Sequence, residues 1–129
     1  MNETAATFSS TEVYSGFAVD DIPKAKDFYG RVLGLEVSEQ NDLVGLKLPS
    51  GASVLVYPKP DHTPAKFTIL NFNVSDIEAA VDALVAQGVT MERYEGLDQD
   101  ERGINRELGP PIAWFKDPAG NILAVLHDV

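Results

Sequence analysis

The feature that most constrains the fold of this chain is an internal repeat. The pattern Phe-x-Val-x-Asp-Ile occurs at residues 17–22 and again at residues 72–77, which is an offset of 55 residues. The later parts of the two copies align at an offset of 69, which places Gly51 on Gly120. Each copy is too short to bury a sheet face by itself, so we expect the two copies to share one core.

Periodicity and turn residues predict the order βαβββ in each copy. In the first copy Asp21 is the expected N-cap, Pro23 lies in the first turn and Gly34 ends the helix. In the second copy Asp76 starts the helix and Gly88 ends it. The predicted strands are 12–19, 35–39, 44–48 and 52–57 in a first module of about 12–57, and 66–74, 89–95, 112–116 and 122–126 in a second module of about 66–127, with a linker at 58–65 between them in a single domain.

Residues 112–127 form the sharpest local pattern, a strand, a tight turn and a second strand. The turn Asp-Pro-Ala-Gly-Asn at residues 117–121 combines proline, which fixes φ, with glycine, which permits positive φ. The apolar run at residues 122–126 that follows is typical of a strand buried on both faces. The same pattern, more weakly, ends the first copy.

The chain is strongly acidic, with a formal net charge of −10. Such a surface repels the phosphates of nucleic acids and of anionic membranes, so neither is an expected partner. Cationic or neutral small molecules are compatible with this charge, and solubility alone also explains it.

Cysteine is absent, which excludes disulfides, thiolate catalysis and cysteine-ligated metals. No apolar segment resembles a signal peptide or reaches the length of a membrane span. The expected location is therefore the cytoplasm.

Two stretches resemble the vicinal oxygen chelate superfamily, which contains glyoxalase I, bleomycin-resistance proteins, fosfomycin-resistance thiol transferases and extradiol dioxygenases. One is F-A-V-D-D-I-P-K-A-K-D-F-Y-G-R-V-L-G-L-E-V at residues 17–37, with an aspartate, an F-Y pair and L-G-L. The other is F-K-D-P-A-G-N-I-L-A-V-L-H at residues 115–127. The resemblance implies an α+β fold in which two βαβββ modules form a curled mixed sheet around a cavity, and it implies a homodimer.

The resemblance also implies where a metal would be held. Metal-binding members use His, Gln or Glu on the first and last strands of each module, and the matching positions here are Tyr14, Leu55, Ile69 and Ala124. None is a usual ligand. We therefore expect no metal and no cofactor, and within the superfamily the bleomycin-resistance branch is the most similar. His62 falls in the linker, where we expect it to be solvated.

If these positions face a cavity, strand alternation nominates further lining residues. The aromatic members could instead fill the core. Asn71 needs a polar partner, which could be a neighbouring strand, a buried water or a ligand. The candidate ligand-binding residues are Tyr14, Tyr57, Phe67, Ile69, Asn71, Trp114, Ala124 and Glu107.

The charged segment at residues 92–107 is long enough to be a lid or binding loop. It could equally be a solvated loop. Arg106 and Glu107 lie nearest the final strands and would be the residues that reach a ligand.

Three functional hypotheses follow. The first is a metal-independent binding protein that sequesters a drug or metabolite, with cationic and aromatic compounds as the candidate ligands. The second is an altered lyase or isomerase in which Tyr14, Glu12 or Glu107 performs acid–base work. The third is a structural module whose cavity is filled by its own side chains.

Overall fold

The secondary structure follows the order that the repeat predicts, with one exception in the second half. The structure is a computed structural model that describes residues 8–9 and 12–128. The elements after residue 14 are β1 (Ser15–Val19), α1 (Ile22–Asp27), a π-helical turn (Phe28–Val32), β2 (Glu36–Gln40), β3 (Leu43–Lys47), β4 (Ser53–Pro58), β5 (Thr68–Asn73), α2 (Ile77–Ala86), β6 (Ile112–Lys116) and β7 (Ile122–Leu126).

An aspartate caps each helix at the same place in the repeat. The carboxylate of Asp21 accepts a hydrogen bond from the backbone N–H of Lys24 at 3.0 Å, and that of Asp76 accepts one from Ala79 at 3.1 Å. Each bond satisfies one of the N–H groups that a helix leaves free at its start. Both predicted N-caps are confirmed.

The first helix widens into a π-helical turn before it ends. The N–H of Leu33 bonds to the carbonyl of Phe28, five residues earlier, at 3.0 Å. Gly34 then adopts a φ of +73°, which glycine permits and which ends the helix as predicted.

The strands form two separate mixed sheets. One has the order β1-β4-β3-β2 and the other has the order β5-β7-β6. In each, the first strand pairs in parallel with the last strand of the same half. The α+β architecture is as predicted, and the two sheets do not close into a barrel.

The strand predicted at residues 89–95 is wrong. The amide of Gln99 occupies the backbone groups that a strand would need, because its Nε2 donates to the carbonyl of Glu92 at 3.0 Å and its Oε1 accepts from the N–H of Tyr94 at 2.8 Å. The N–H of Glu92 still donates to the carbonyl of Trp114 on β6 at 2.8 Å. One such bond does not make a strand, so the second sheet has three strands instead of four.

A single hydrophobic cluster contains side chains from both halves. Phe28, in the first half, packs against Phe115 on β6 with ring centroids 6.4 Å apart. Tyr29 and Phe115 have no exposed surface, and Ile104 from the long loop is also buried. Burial of large apolar groups from both halves fixes how the two sheets sit relative to each other.

In residues 8–9 and 12–128, no helix is both long enough and apolar enough to cross a membrane.

Candidate ligand cavity

A cavity of about 560 Å³ lies between the outer edge of β1 and the start of β5. Because β1 is an edge strand, the backbone groups on its outer side have no neighbouring strand to pair with. One wall of the cavity is the linker, which comprises residues 59–65 in the structure because β4 includes Pro58. The lining residues are Ser15, Gly16, Phe17, Ala18, Val54, Tyr57, Lys59, Asp61, His62, Thr63, Ala65, Phe67, Ile69, Leu70 and Asn121.

The linker is attached to the end of β1. The N–H of Lys59 donates to the carbonyl of Val19 at 2.8 Å, and the N–H of His62 closes a turn by donating to the carbonyl of Lys59 at 2.9 Å. Pro60, inside that turn, fixes one of its backbone angles. This wall of the cavity therefore has a defined backbone path.

The linker also packs against the turn at residues 117–121. Gly120 has a φ of +88°, and a Cβ placed on it would lie only 3.1 Å from Cγ of Pro64. Any side chain at position 120 would therefore be strained and would push against the linker. The turn at residues 117–121 therefore supports the cavity wall.

A buried polar network reaches the cavity through Asn121 and joins the two halves. Nδ2 of Asn121 donates to the carbonyl of Ala18 on β1 and to Oδ2 of Asp117, each at 2.9 Å. The hydroxyl of Tyr29 donates to the same carboxylate oxygen at 2.7 Å. Burial, followed by the negative charge of Asp117 and the hydrogen bond to it, raises the pKa of Tyr29 far above its ordinary value. Tyr29 is therefore a neutral donor that holds Asp117 in place.

The comparisons with known proteins agree on the family. A model of the Glyoxalase/Bleomycin resistance protein/Dioxygenase superfamily matches residues 11–125. The chain belongs to this superfamily. No curated protein matches the sequence.

Solved structures from the superfamily and its relatives share the fold. A superfamily member from Sphaerobacter thermophilus has a TM-score of 0.70 at 24% identity, covering 93% of this chain and 99% of that one. TnmS3, an antibiotic binding protein from Streptomyces sp. CB03234, has a TM-score of 0.63 at 22% identity, with coverage of 93% and 98%. FosX, a fosfomycin resistance protein from Listeria monocytogenes, has a TM-score of 0.71 at 11% identity, with coverage of 93% and 94%. Identities this low show the fold and leave the branch of the superfamily open.

The four positions that the resemblance assigns to metal ligands do not provide a usual ligand set in this chain. Tyr14, Leu55, Ile69 and Ala124 offer one phenol and three aliphatic side chains. Ala124 is fully buried, while Tyr14 precedes β1 with 60% of its surface exposed. Across residues 8–9 and 12–128, no three His, Asp or Glu side chains are grouped so that they could hold a metal ion.

The structure brings three of the eight predicted ligand-binding residues into one cavity. Tyr57 lies on β4, Ile69 on β5 and Phe67 just before β5, and all three line the cavity beside β1. Phe67 keeps 69% of its surface exposed at the cavity's rim. Binding by these residues stays a prediction.

The other five residues lie elsewhere. Asn71 and Trp114 flank Ala124 in register across the second sheet, and Trp114 meets Tyr94 edge-to-face at 5.5 Å. The Asn71 side chain is exposed, so the expectation that it needs a protein partner does not apply. Glu107 is exposed on the long loop, and Tyr14 lies outside the cavity's lining.

A second, mainly apolar groove of about 380 Å³ runs between the end of the π-helical turn and α2. Apart from Gln87, the side chains that line it are apolar. A ligand there would have few groups to fix its orientation, so the cavity beside β1 is the better candidate for a specific site.

The long loop at residues 92–107 is held by ion pairs and hydrogen bonds. Arg106 binds the carboxylates of Asp100 and Glu78, and Arg102 binds Asp82 at 2.9 Å. Arg106 is thus used by its own loop and by α2.

Sequence reasoning missed His62. It was expected to be solvated, but its ring lines the cavity and its Nε2 is buried. The sequence carried no sufficient signal, because prolines 58, 60 and 64 restrict the backbone angles of the linker but do not show which strands it passes.

Proposed function

We propose that this protein binds a small molecule in the cavity beside β1, without the superfamily's usual metal site, and sequesters a drug or metabolite. The observation that carries the proposal is the cavity itself. It combines apolar side chains, among them Phe67, Ile69 and Leu70, with polar side chains that lie mostly on the linker. Ligand sites commonly pair an apolar wall with a few fixed polar groups.

The donor chemistry of the four metal positions supports the metal-independent part of the proposal. Aliphatic side chains cannot coordinate a divalent cation, so the residues at these positions provide no shared basis for metal-assisted chemistry. TnmS3 is an antibiotic binding protein of the same fold, which is compatible with a sequestering role here.

We also propose that the protein is a homodimer. Val13 has 91% of its surface exposed and Tyr14 has 60%, and both directly precede β1, which is the edge strand of its sheet. Exposed apolar side chains beside a free strand edge are a feature of surfaces that associate.

A thermal-shift screen tests the binding function. Metabolites and aromatic drugs, cationic and neutral, are added to the full chain, and a true ligand raises the unfolding midpoint in proportion to its concentration over Kd. Loss of the shift in Ile69→Asp, but not in Ala80→Ser in the second groove, would place the ligand beside β1. A library without any stabilising compound would overturn the proposal, and turnover of a hit, seen by mass spectrometry, would favour the lyase or isomerase hypothesis.

A further inference from the structure

One ring nitrogen in the cavity wall has no partner. Nε2 of His62 is buried and makes no hydrogen bond within the part of the chain that the structure describes. The side chain as a whole is half-buried and lines the cavity. A buried polar atom without a partner destabilises the folded state, so its presence in a wall that could hold an apolar residue needs a reason.

Hydrogen bonds fix the backbone of His62 but not its imidazole ring. The turn from Lys59 to His62 is closed by the backbone hydrogen bond at 2.9 Å and is attached to Val19. Among the described residues, no side-chain hydrogen bond holds the ring. Turning the ring so that Nε2 faces the cavity would therefore break no side-chain hydrogen bond, although it would disturb the packing that buries this atom.

The charges at the cavity cancel. Nζ of Lys59 and Oδ1 of Asp61 form an ion pair at 2.6 Å, and they are the charged residues in the lining. The acidity of the whole chain is thus not concentrated here. This cavity offers no net charge that would select a cationic or an anionic ligand.

We infer that His62 is the ligand-recognition residue of the cavity and that the ligand carries a hydroxyl group. The inference rests on the proposed binding function and narrows its ligand class. A neutral imidazole nitrogen either donates or accepts, depending on the tautomer. A hydroxyl group does both and satisfies either tautomer, whereas an ammonium group can only donate and a carboxylate can only accept.

The first experiment uses ligand-free protein. His62→Phe keeps an aromatic ring and removes the unsatisfied nitrogen, so the unfolding midpoint should rise by about 2–5 °C. His127→Phe is the matched control. Its Nδ1 lies 2.7 Å from the carbonyl of Val74, so this replacement should lower the midpoint. His62→Leu should stabilise as His62→Phe does, and an unchanged or lowered midpoint in both His62 variants would overturn the inference.

The second experiment measures binding by amide NMR titration with four probes. They are 2-naphthol, 2-naphthoate, 2-(aminomethyl)naphthalene and 2-methylnaphthalene, which share a ring system and differ in the polar group. We expect 2-naphthol to bind tightest, with shifts at Phe67 and Ile69, and to bind about tenfold more weakly to His62→Phe, which is the size of one hydrogen bond.

The outcomes separate the inference from the function on which it rests. Equal affinity of 2-naphthol for both proteins would overturn the role of His62 and leave the binding function standing. Tightest binding of the amine or the carboxylate would overturn the hydroxyl class. Absence of shifts with all four probes would count against the inference and against the binding function together.

Discussion

The hydroxyl of Tyr29 and the carboxylate of Asp117 meet across the two halves of the chain, out of contact with water. The bond is 2.7 Å long, and Asp117 also accepts from the backbone N–H groups of Ala119 and Asn121. A buried carboxylate is tolerated only when its oxygens are well supplied with donors. The hydroxyl proton of Tyr29 therefore contributes to the stability of the fold, as does the packing of its ring.

Replacement of Tyr29 by Phe should lower the free energy of unfolding by about 1.5–3 kcal/mol at neutral pH, as expected for a bond to a charged group. The raised pKa of Tyr29 also makes this contribution to stability depend on pH. The folded protein keeps the Tyr29 proton above about pH 10 whereas the unfolded chain loses it, so this contribution to stability is present below pH 10 and declines as pH rises. The difference in unfolding free energy between the parent protein and Tyr29→Phe should therefore become smaller at alkaline pH, as measured by urea unfolding.

Tyr14→Phe is the control, because Tyr14 is exposed and makes no side-chain hydrogen bond to any residue that the structure describes. It should change the unfolding free energy by less than about 0.5 kcal/mol. Similar losses in the two variants would contradict the role given to the buried bond.

Single residues also show what sequence can and cannot predict. Asp21 and Asp76 were predictable as caps, since an N-cap depends on bonds two or three residues away. The bond from Asn121 to Ala18 spans 103 residues, and no local pattern encodes it. His62 was misjudged for the same reason, because its burial depends on how the linker passes the first strand.

Among the elements, the loop at residues 92–107 departs most from its predicted form. Asp100 organises it by accepting hydrogen bonds from the backbone N–H groups of Arg102 and Ile104, each at 2.9 Å, and from Arg106. Partial burial alone would raise the pKa of Asp100, but the hydrogen bonds from Arg106 and from the two N–H groups outweigh it and leave the pKa lowered. The loop is thus an ordered element.

Asp100→Asn should destabilise the protein by about 1–3 kcal/mol at pH 7, because it removes a charge that three donors share. A lowered folded-state pKa gives stability that is present above the unfolded value of about 4 and is lost as pH falls through the folded value. The difference between variant and parent should therefore shrink below about pH 4 in chemical unfolding. Asp98→Asn is the control, since that carboxylate makes no hydrogen bond or ion pair within residues 8–9 and 12–128. A difference between Asp100→Asn and the parent that stays constant at all pH values would contradict this account.

Element order was predictable where hydrophobic period and turn residues agreed, as in β6, its turn and β7. The prediction failed at residues 89–95, where β-forming residues are present but the side chain of Gln99 occupies backbone hydrogen-bonding groups that a strand would need. Strand propensity describes a surface that suits a sheet, and it cannot show whether the hydrogen-bonding groups are already in use.

For the whole molecule, the metal positions give a direct prediction. Protein purified without chelator should contain well under one equivalent of zinc, nickel, manganese or iron by elemental mass spectrometry, because the four positions lack donors. Added metal should leave the unfolding midpoint unchanged. A stoichiometric metal, or a midpoint that a chelator lowers, would contradict the assignment of those positions.

The proposed dimer is also a property of the whole molecule. Sedimentation equilibrium should give twice the mass of the chain, and the double replacement Val13→Ser with Tyr14→Ser should shift the protein towards monomer by removing apolar surface beside β1. Leu108→Ser, at a similarly exposed residue directly after the long loop, is the control. Monomeric parent protein, or equal effects of the two changes, would count against this interface.

The bond from Asn121 to β1 has a consequence for how the protein is made. Synthesis runs from the N-terminus, so β1 to β4 and the attachment of Lys59 to Val19 can form while the second half is still missing. The carbonyl of Ala18 on β1 and the hydroxyl of Tyr29 must wait for Asn121 and Asp117, which are synthesised about ninety or a hundred residues later. A nascent chain paused before residue 117 would therefore leave both groups without these buried partners.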